Sequence, residues 1–154
     1  TKLLYVIEGN FMRVREFVPN DLRRVHFIHE TSFDQSYGLA IFRKLYDIGA
    51  GFLVAEDNGL VVGYILFWIK EENVGHIISI AVDEKYRCLK AGTMLLSRAI
   101  STLKICKLNK ITLEVNENNK IAINFYKKFN FQVDRLVPKY YDNGDGAIVM
   151  YLDI

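Results

Sequence analysis

The apolar and polar positions of this chain fall into short runs whose period shifts from two to about 3.6 and back. From 12 to 18, Met12, Val14 and Phe17 alternate with Arg13, Arg15 and Glu16, with a slip near the end, and read as a first strand. Pro19-Asn20-Asp21 supplies a turn and an N-cap. Leu22, Val25, Phe27, Ile28 and Phe33 carry helical spacing and predict a helix over 21–30. A second helix is expected over 39–46, closed by Ile48-Gly49-Ala50-Gly51, and then a strand over 52–56. Asp57-Asn58-Gly59 is a hairpin turn, so 60–70 returns as a long strand. After a turn at 71–73 the next strand covers 76–82. A helix from 91 to about 108 follows, with Met94, Leu95, Ala99, Ile100 and Leu103 on one face. A strand over 110–115, a helix over 120–129 capped by Asn118 or Asn119, and strands over 132–137 and 147–152 complete the pattern.

The order β-α-α-β-β-β-α-β-α-β-β contains no repeat, no low-complexity stretch and no linker. It predicts an α/β (α+β) fold, one mixed and mostly antiparallel sheet of about seven strands flanked by four helices. Residues 1–154 are expected to form a single domain, with 1–10 as an N-terminal extension.

Between the strand at 76–82 and the helix at 91, a short basic turn intervenes. Such a junction aims unpaired backbone N–H groups, and the positive end of the helix dipole, at one spot. That spot suits a phosphate or pyrophosphate, and Arg87 and Lys90 add formal charge beside it. The plainer alternative is an ordinary connection with solvated basic residues.

Composition narrows the classes. Hydrophobic residues at 51% fill a core, and charged residues at 25% exclude a disordered tail. The longest apolar run, 60–69, is too short for a bilayer, which needs about 20 residues. Lys2 is followed by an apolar run that Glu8 breaks, so no signal peptide and no membrane role are expected. A net charge of +2, without basic and aromatic residues alternating along one strand, argues against a nucleic-acid partner. Cys88 and Cys106 have neither disulfide-framework nor metal-ligand spacing, which fits a reducing, cytoplasmic setting and no metal requirement.

Two further stretches are chemically suggestive. In 111–131, Glu114 sits in an apolar strand, where an unpaired carboxylate is costly, Asn119 at a helix start, and Tyr126 two turns into that helix. Residues 139–147 form a polar aromatic hairpin with Tyr140 and Tyr141. With the basic junction and these two stretches in order, the chain resembles the GCN5-related N-acetyltransferase (GNAT) superfamily over about 11–152. Within it, the chain is similar to the enzymes that acetylate protein N-termini, the archaeal N-terminal acetyltransferases and the bacterial ribosomal-protein alanine acetyltransferases. The superfamily signature Arg/Gln-x-x-Gly-x-Gly/Ala reads here Arg87-Cys88-Leu89-Lys90-Ala91-Gly92. Ser79-Ile80-Ala81-Val82, Leu113-Glu114-Val115, Asn119-x-x-Ala122-x-x-x-Tyr126 and Lys139-Tyr140-Tyr141 accompany it.

The resemblance implies roles. Acetyl-CoA would be the cosubstrate, its pyrophosphate held by backbone N–H groups of Arg87, Cys88, Leu89, Lys90, Ala91, Gly92 and Thr93. Ile80, Ala81 and Val82 would run along its pantetheine arm, with Asn119 touching the arm and Phe125, Tyr126 and Lys128 on the far side. Tyr126 would be the general acid towards the sulfur, and His76 or Glu114, on neighbouring strands in that fold, the base. Tyr37, Tyr140 and Tyr141 would hold an extended peptide. Two positions depart from the pattern. Lys90 replaces the first glycine, which permits positive φ; it serves if the position is helical, and otherwise cofactor affinity should suffer. Gln35 stands where some relatives carry a Glu, and Gln cannot act as a base.

The leading expectation is therefore transfer of an acetyl group from acetyl-CoA to the α-amine of protein or peptide N-termini, with a ribosome or an auxiliary subunit as the implied partner. A small-molecule, polyamine-like amine acceptor and a catalytically inactive acyl-CoA-binding module are the alternatives. Paired tyrosines favour the peptide; Lys90 and Gln35 keep the inactive module open.

Overall fold

The structure, a computed structural model, describes residues 5–7, 10–33, 37–87 and 90–154. Eight strands form one sheet in the order β1-β2-β3-β4-β5-β6-β8-β7: β1 (Tyr5–Ile7), β2 (Asn10–Glu16), β3 (Gly51–Asp57), β4 (Leu60–Glu71), β5 (Val74–Val82), β6 (Lys110–Asn116), β7 (Gln132–Val137) and β8 (Ala147–Asp153). Among the described residues four α-helices accompany it: α1 (Leu22–Ser32), α2 (Leu39–Asp47), α3 (Ala91–Ile105) and α4 (Lys120–Lys128). β5 and β6 pair in parallel, whereas β1–β2, β2–β3, β3–β4, β6–β8 and β7–β8 are antiparallel. The architecture is the expected one. The strand count is eight rather than about seven because the stretch expected as an extension contains β1, which pairs with β2 from Tyr5↔Met12 to Ile7↔Asn10.

The chain divides into two compact units, Thr1–Phe67 with Ser79–Thr102, and Trp68–Ile78 with Leu103–Ile154. In the first, the core gathers Phe17, Phe52, Phe42, Tyr64, Val25 and Ile28, all nearly inaccessible. Phe17 stacks on Phe52 with ring centroids 3.9 Å apart, and Phe42 meets Tyr64 edge-on at 5.8 Å. The α1 face differs from the one its spacing predicts. Val25, Ile28 and His29 are buried, while Phe27 and Phe33 are exposed. The hairpin between β3 and β4 turns through Asn58 at φ 49° and Gly59 at φ 84°, the two left-handed residues a tight turn of this hand requires. Asp21 precedes α1 without capping it. Its carboxylate instead accepts the Val18 amide and both terminal nitrogens of Arg15.

In the second unit, Ile111, Leu113 and Val115 of β6 are buried, as are Leu103, Leu108, Ile123 and Met150. α3 stops at Ile105, short of 108. Lys107 takes the left-handed conformation at φ 62°, its N–H returns to the Lys104 carbonyl, and the Leu108 N–H returns to that of Leu103. This is a Schellman ending, with Lys where glycine is usual and buried Leu108 and Leu103 as its apolar contact. α4 ends the same way, through Asn130 at φ 70° and a Phe131 N–H bonded to the Tyr126 carbonyl. Its start is capped by Asn119, whose Oδ1 accepts the Ala122 amide, and not by Asn118.

Candidate active site

The strand–turn–helix junction is built in the first unit. β5 pairs with β6 only from Val74↔Lys110 to His76↔Thr112, although β5 itself continues to Val82. Ala81 is buried, and Ile80 and Val82 are half-buried. Asp83 then turns the chain. Its side chain accepts the Lys85 amide and pairs with the Arg24 guanidinium, and Arg24 Nε donates to the Val61 carbonyl at 2.7 Å. Burial acts to raise the Asp83 carboxyl, but the Lys85 amide and Arg24 outweigh it and hold the group below its ordinary value. Neither Arg24 nor Asp83 belongs to the sequence-derived site, and no local pattern links two residues 59 positions apart. Arg87 folds back so that Nε donates to the Val82 carbonyl at 3.1 Å. Cys88 and Leu89 lie outside the described residues.

Lys90 is left-handed, with φ 66°, so the condition under which it was expected to serve is not met. The position keeps the backbone shape a glycine would give it and carries a side chain there as well, at a cost of about 1 kcal/mol. The first intrahelical bond of α3 runs from the Met94 N–H to the Lys90 carbonyl. Among the described residues the N–H groups of Ala91, Gly92 and Thr93 have no intrahelical acceptor, and amides at such a helix start are the donor set an anion uses. Lys90→Gly should be more stable than Lys90→Ala by about 1 kcal/mol in paired thermal melts, because both delete the ammonium and only glycine relieves the backbone. Equal stability would mean that the backbone there is not left-handed.

Tyr37, the expected peptide-holding residue of the first unit, is 40% exposed and stacks on His29, ring centroids 5.1 Å apart and planes within 14°. Gln35 lies outside the described residues. His29 is missing from the sequence-derived site, and its one signal is a place on the buried Val25–Ile28 face of α1. Burial, helped by the charge of His26, lowers its pKa from the ordinary 6.5 to about 4. The folded protein thus holds His29 neutral where the unfolded chain protonates it. Its contribution is complete above pH 6.5 and is lost as pH falls towards 4. The loss amounts to on the order of 3 kcal/mol. Denaturant titrations between pH 7 and 4.5 should show this slope, shared in part with His76, and a shallower one in His29→Asn. Equal slopes would remove His29 as the cause.

The second unit holds the other candidates. His76 Nδ1 lies 2.7 Å from Thr112 Oγ1, and that hydroxyl points to the Gly75 carbonyl at 3.4 Å. If the hydroxyl proton goes to the carbonyl, Nδ1 carries the imidazole proton and Nε2 keeps its lone pair. Burial and Lys70 lower the His76 pKa while Glu114 works the other way, so the ring is neutral at physiological pH. Glu114 is half-buried and is not left alone: the Tyr140 hydroxyl donates to its Oε2. Tyr140 meets Tyr141 edge-on at 5.0 Å. Their loop is braced by Asp145, whose carboxylate accepts Asn116 Nδ2 and Asn143 Nδ2 at 3.0 Å each, while Asn143 Oδ1 accepts the Asp145 amide and the Gly144 N–H returns to the Tyr141 carbonyl.

Tyr126 is 7% exposed, its ring against Phe125 at 5.4 Å and Phe131 at 5.8 Å. Burial, reinforced by Tyr141, pushes its pKa well above the ordinary tyrosine range, so it stays protonated at any working pH. Asn119 commits its Oδ1 to the helix cap, and Lys128 is exposed. A groove of about 590 Å³ in this unit runs between Lys120, Ile123 and Lys127 of α4 and Val133 and Ile148 of the sheet, and none of the expected site residues lines it. Among the described residues, no three His, Cys, Asp or Glu side chains gather as a metal site, and no helix is long and apolar enough to cross a membrane.

The class of protein follows from comparison with known proteins: the chain is an N-acetyltransferase. The sequence model of the Acetyltransferase (GNAT) family matches residues 19–131, and the chain belongs to that family. It is 38% identical over 141 residues to an uncharacterized N-acetyltransferase of Methanocaldococcus jannaschii, covering 90% of each chain. It is 33% identical over 156 residues to an N-alpha-acetyltransferase of Sulfurisphaera tokodaii, covering 93% of each. The crystal structure of Ard1 from Thermoplasma volcanium superposes with a TM-score of 0.90 at 30% identity, over 93% of this chain and 97% of that one.

Proposed function

We propose that the chain is a single catalytic domain that transfers the acetyl group of acetyl-CoA to the N-terminal α-amine of proteins or peptides. The family match from 19 to 131 runs through both compact units, which supports the single-domain reading. The N-terminal acceptor is supported by the Sulfurisphaera relative, matched over nearly its whole length. The observation that carries the chemistry is a pair of oppositely tuned groups in the second unit, His76 held neutral and Tyr126 held protonated.

Acetyl-CoA, when bound, supplies a thioester that an uncharged amine can attack. The helix-opening amides of Ala91, Gly92 and Thr93 fit its pyrophosphate, and the run of β5 beyond its pairing with β6, at Ile80 and Val82, fits its extended arm. His76 Nε2 takes a proton from the acceptor ammonium, directly or through water. Tyr126 holds a proton for the departing sulfur. Glu114 shares its carboxylate with Tyr140 and makes His76 a stronger base, rather than serving as the base itself. Tyr37 holds the peptide.

The test is incubation with acetyl-CoA and short peptides varied in their first two residues, beside the same peptides with blocked α-amines and free internal lysines, and spermidine. Acetyl mass on the α-amine alone is the expected result. Acetylation of spermidine only would favour the small-amine reading, and acetyl-CoA binding without turnover on any acceptor would favour the inactive module.

A further inference from the structure

We propose that His29 is a positioning residue for the acceptor: its imidazole, held from behind by Tyr64 and Ser79, receives the Tyr37 amide and supports the Tyr37 ring. This rests on the reading of Tyr37 as a peptide-holding side chain.

The arrangement is a continuous chain of bonds within the first unit. The Tyr37 N–H donates to His29 Nε2 at 3.1 Å. His29 Nδ1 stands 2.5 Å from the Tyr64 hydroxyl, which stands 2.8 Å from Ser79 Oγ. A backbone amide can only donate, so Nε2 must be the acceptor and the ring proton sits on Nδ1. Tyr64 then accepts from His29, and its hydroxyl shares a second bond with Ser79. The directions at His29 follow from that one amide. A protonated ring would turn Nε2–H towards the Tyr37 N–H, two donors face to face, and the burial that keeps the ring neutral is consistent with this.

Packing alone does not call for histidine here. The site is ringed by Phe33 and Phe42 at 4.9 Å each, and a leucine or phenylalanine would fill it. Histidine adds one acceptor and one donor on opposite edges of a flat ring, and a face for Tyr37 to stack on. Tyr37 stands two residues before α2 begins; His29 fixes its amide and stacks on its ring, Phe42 meets the ring edge-on at 6.1 Å, and the side chain is still 40% exposed for the acceptor to reach. Ser79 is buried on β5 beside Ile80, which ties this support to the strand that fits the pantetheine arm.

Two variants separate the two bonds. In His29→Asn the short amide stays near the Nδ1 position and keeps Tyr64 but leaves the Tyr37 amide without its acceptor. In His29→Gln the longer side chain carries its amide oxygen to the Nε2 position. His29→Asn should raise the peptide KM roughly 5- to 10-fold, the loss of one buried hydrogen bond, with kcat and acetyl-CoA affinity within about twofold of wild type. His29→Gln should restore KM to within about twofold. Unchanged KM in His29→Asn, a Gln variant as poor as Asn, or a parallel loss of acetyl-CoA affinity would each overturn the assignment. Tyr37→Ala, run alongside, tells the two failures apart. If it raises KM while His29→Asn does not, only the role of His29 falls; if it leaves KM unchanged, the peptide-holding reading falls and takes this one with it. Nitrogen NMR of the wild-type imidazole needs no variant: the Nδ1–H tautomer is expected, and the Nε2–H tautomer would overturn the proposal.

Discussion

Tyr126→Phe should lower turnover about 100-fold and leave acetyl-CoA affinity nearly unchanged. The ring is 7% exposed and wedged between Phe125 and Phe131. Its own carbonyl anchors the left-handed ending of α4 by accepting the Phe131 N–H. Phenylalanine keeps all of these contacts, so the substitution deletes one hydroxyl from a backbone that does not move. What is deleted is a proton that burial and Tyr141 hold in place. General-acid contributions span about 10²- to 10⁴-fold, and the lower end applies because a sulfur leaving group needs less protonic help than an amine. Single-turnover CoA release measures the rate, and calorimetry with acetyl-CoA measures binding. Unchanged turnover would take Tyr126 out of the proton-donor role.

Gly92→Trp should cut acetyl-CoA affinity about 100-fold or more, the loss of two charge-assisted hydrogen bonds to phosphate. Gly92 is the second residue of α3, half-buried, in the turn whose amides precede the first intrahelical bond. An indole there fills the space an anion would occupy and screens the neighbouring N–H groups. Folding should not suffer, because glycine inside a helix costs about 1 kcal/mol that tryptophan partly recovers. A normal melting temperature with lost binding is therefore the expected pattern. Retained affinity would show that the cofactor lies elsewhere on the chain.

Elements announced by local chemistry were legible. Asn58-Gly59 gives its hairpin through two residues that accept positive φ, and Gly49 at φ 87° closes α2. α3 was overextended because its ending relies on Lys107, a residue without the glycine signal. The same is true at Lys90, where chain context forces a left-handed shape that composition does not announce. Of the candidate site, Tyr126, Tyr37, Tyr140 and Glu114 came from the family pattern. His29, Tyr64, Arg24 and Asp83 did not, nor did the bond that Ser79 of the family stretch makes, since each acts through a partner far along the chain: Tyr64 lies 35 residues from His29, and Ser79 a further 15. Such pairings exist only once the sheet has brought the segments together. Glu114 was suspect as a carboxylate in an apolar strand, and the Tyr140 hydroxyl is the partner that settles it there.

The brace around Asp145 also governs how the loop ages. Asn143-Gly144 is a sequence prone to deamidation, in which the glycine amide nitrogen attacks the asparagine side-chain carbonyl, closes a succinimide and expels ammonia. Here that nitrogen is engaged with the Tyr141 carbonyl, and the Asn143 side chain is held at both ends by Asp145. Ring closure would have to break these bonds first, and its product, an aspartate, would stand against the Asp145 carboxylate. The bonds that shape the loop carrying Tyr140 and Tyr141 thus slow the covalent decay of that loop, and a variant such as Asp145→Ala would shorten its chemical lifetime as well as loosen it.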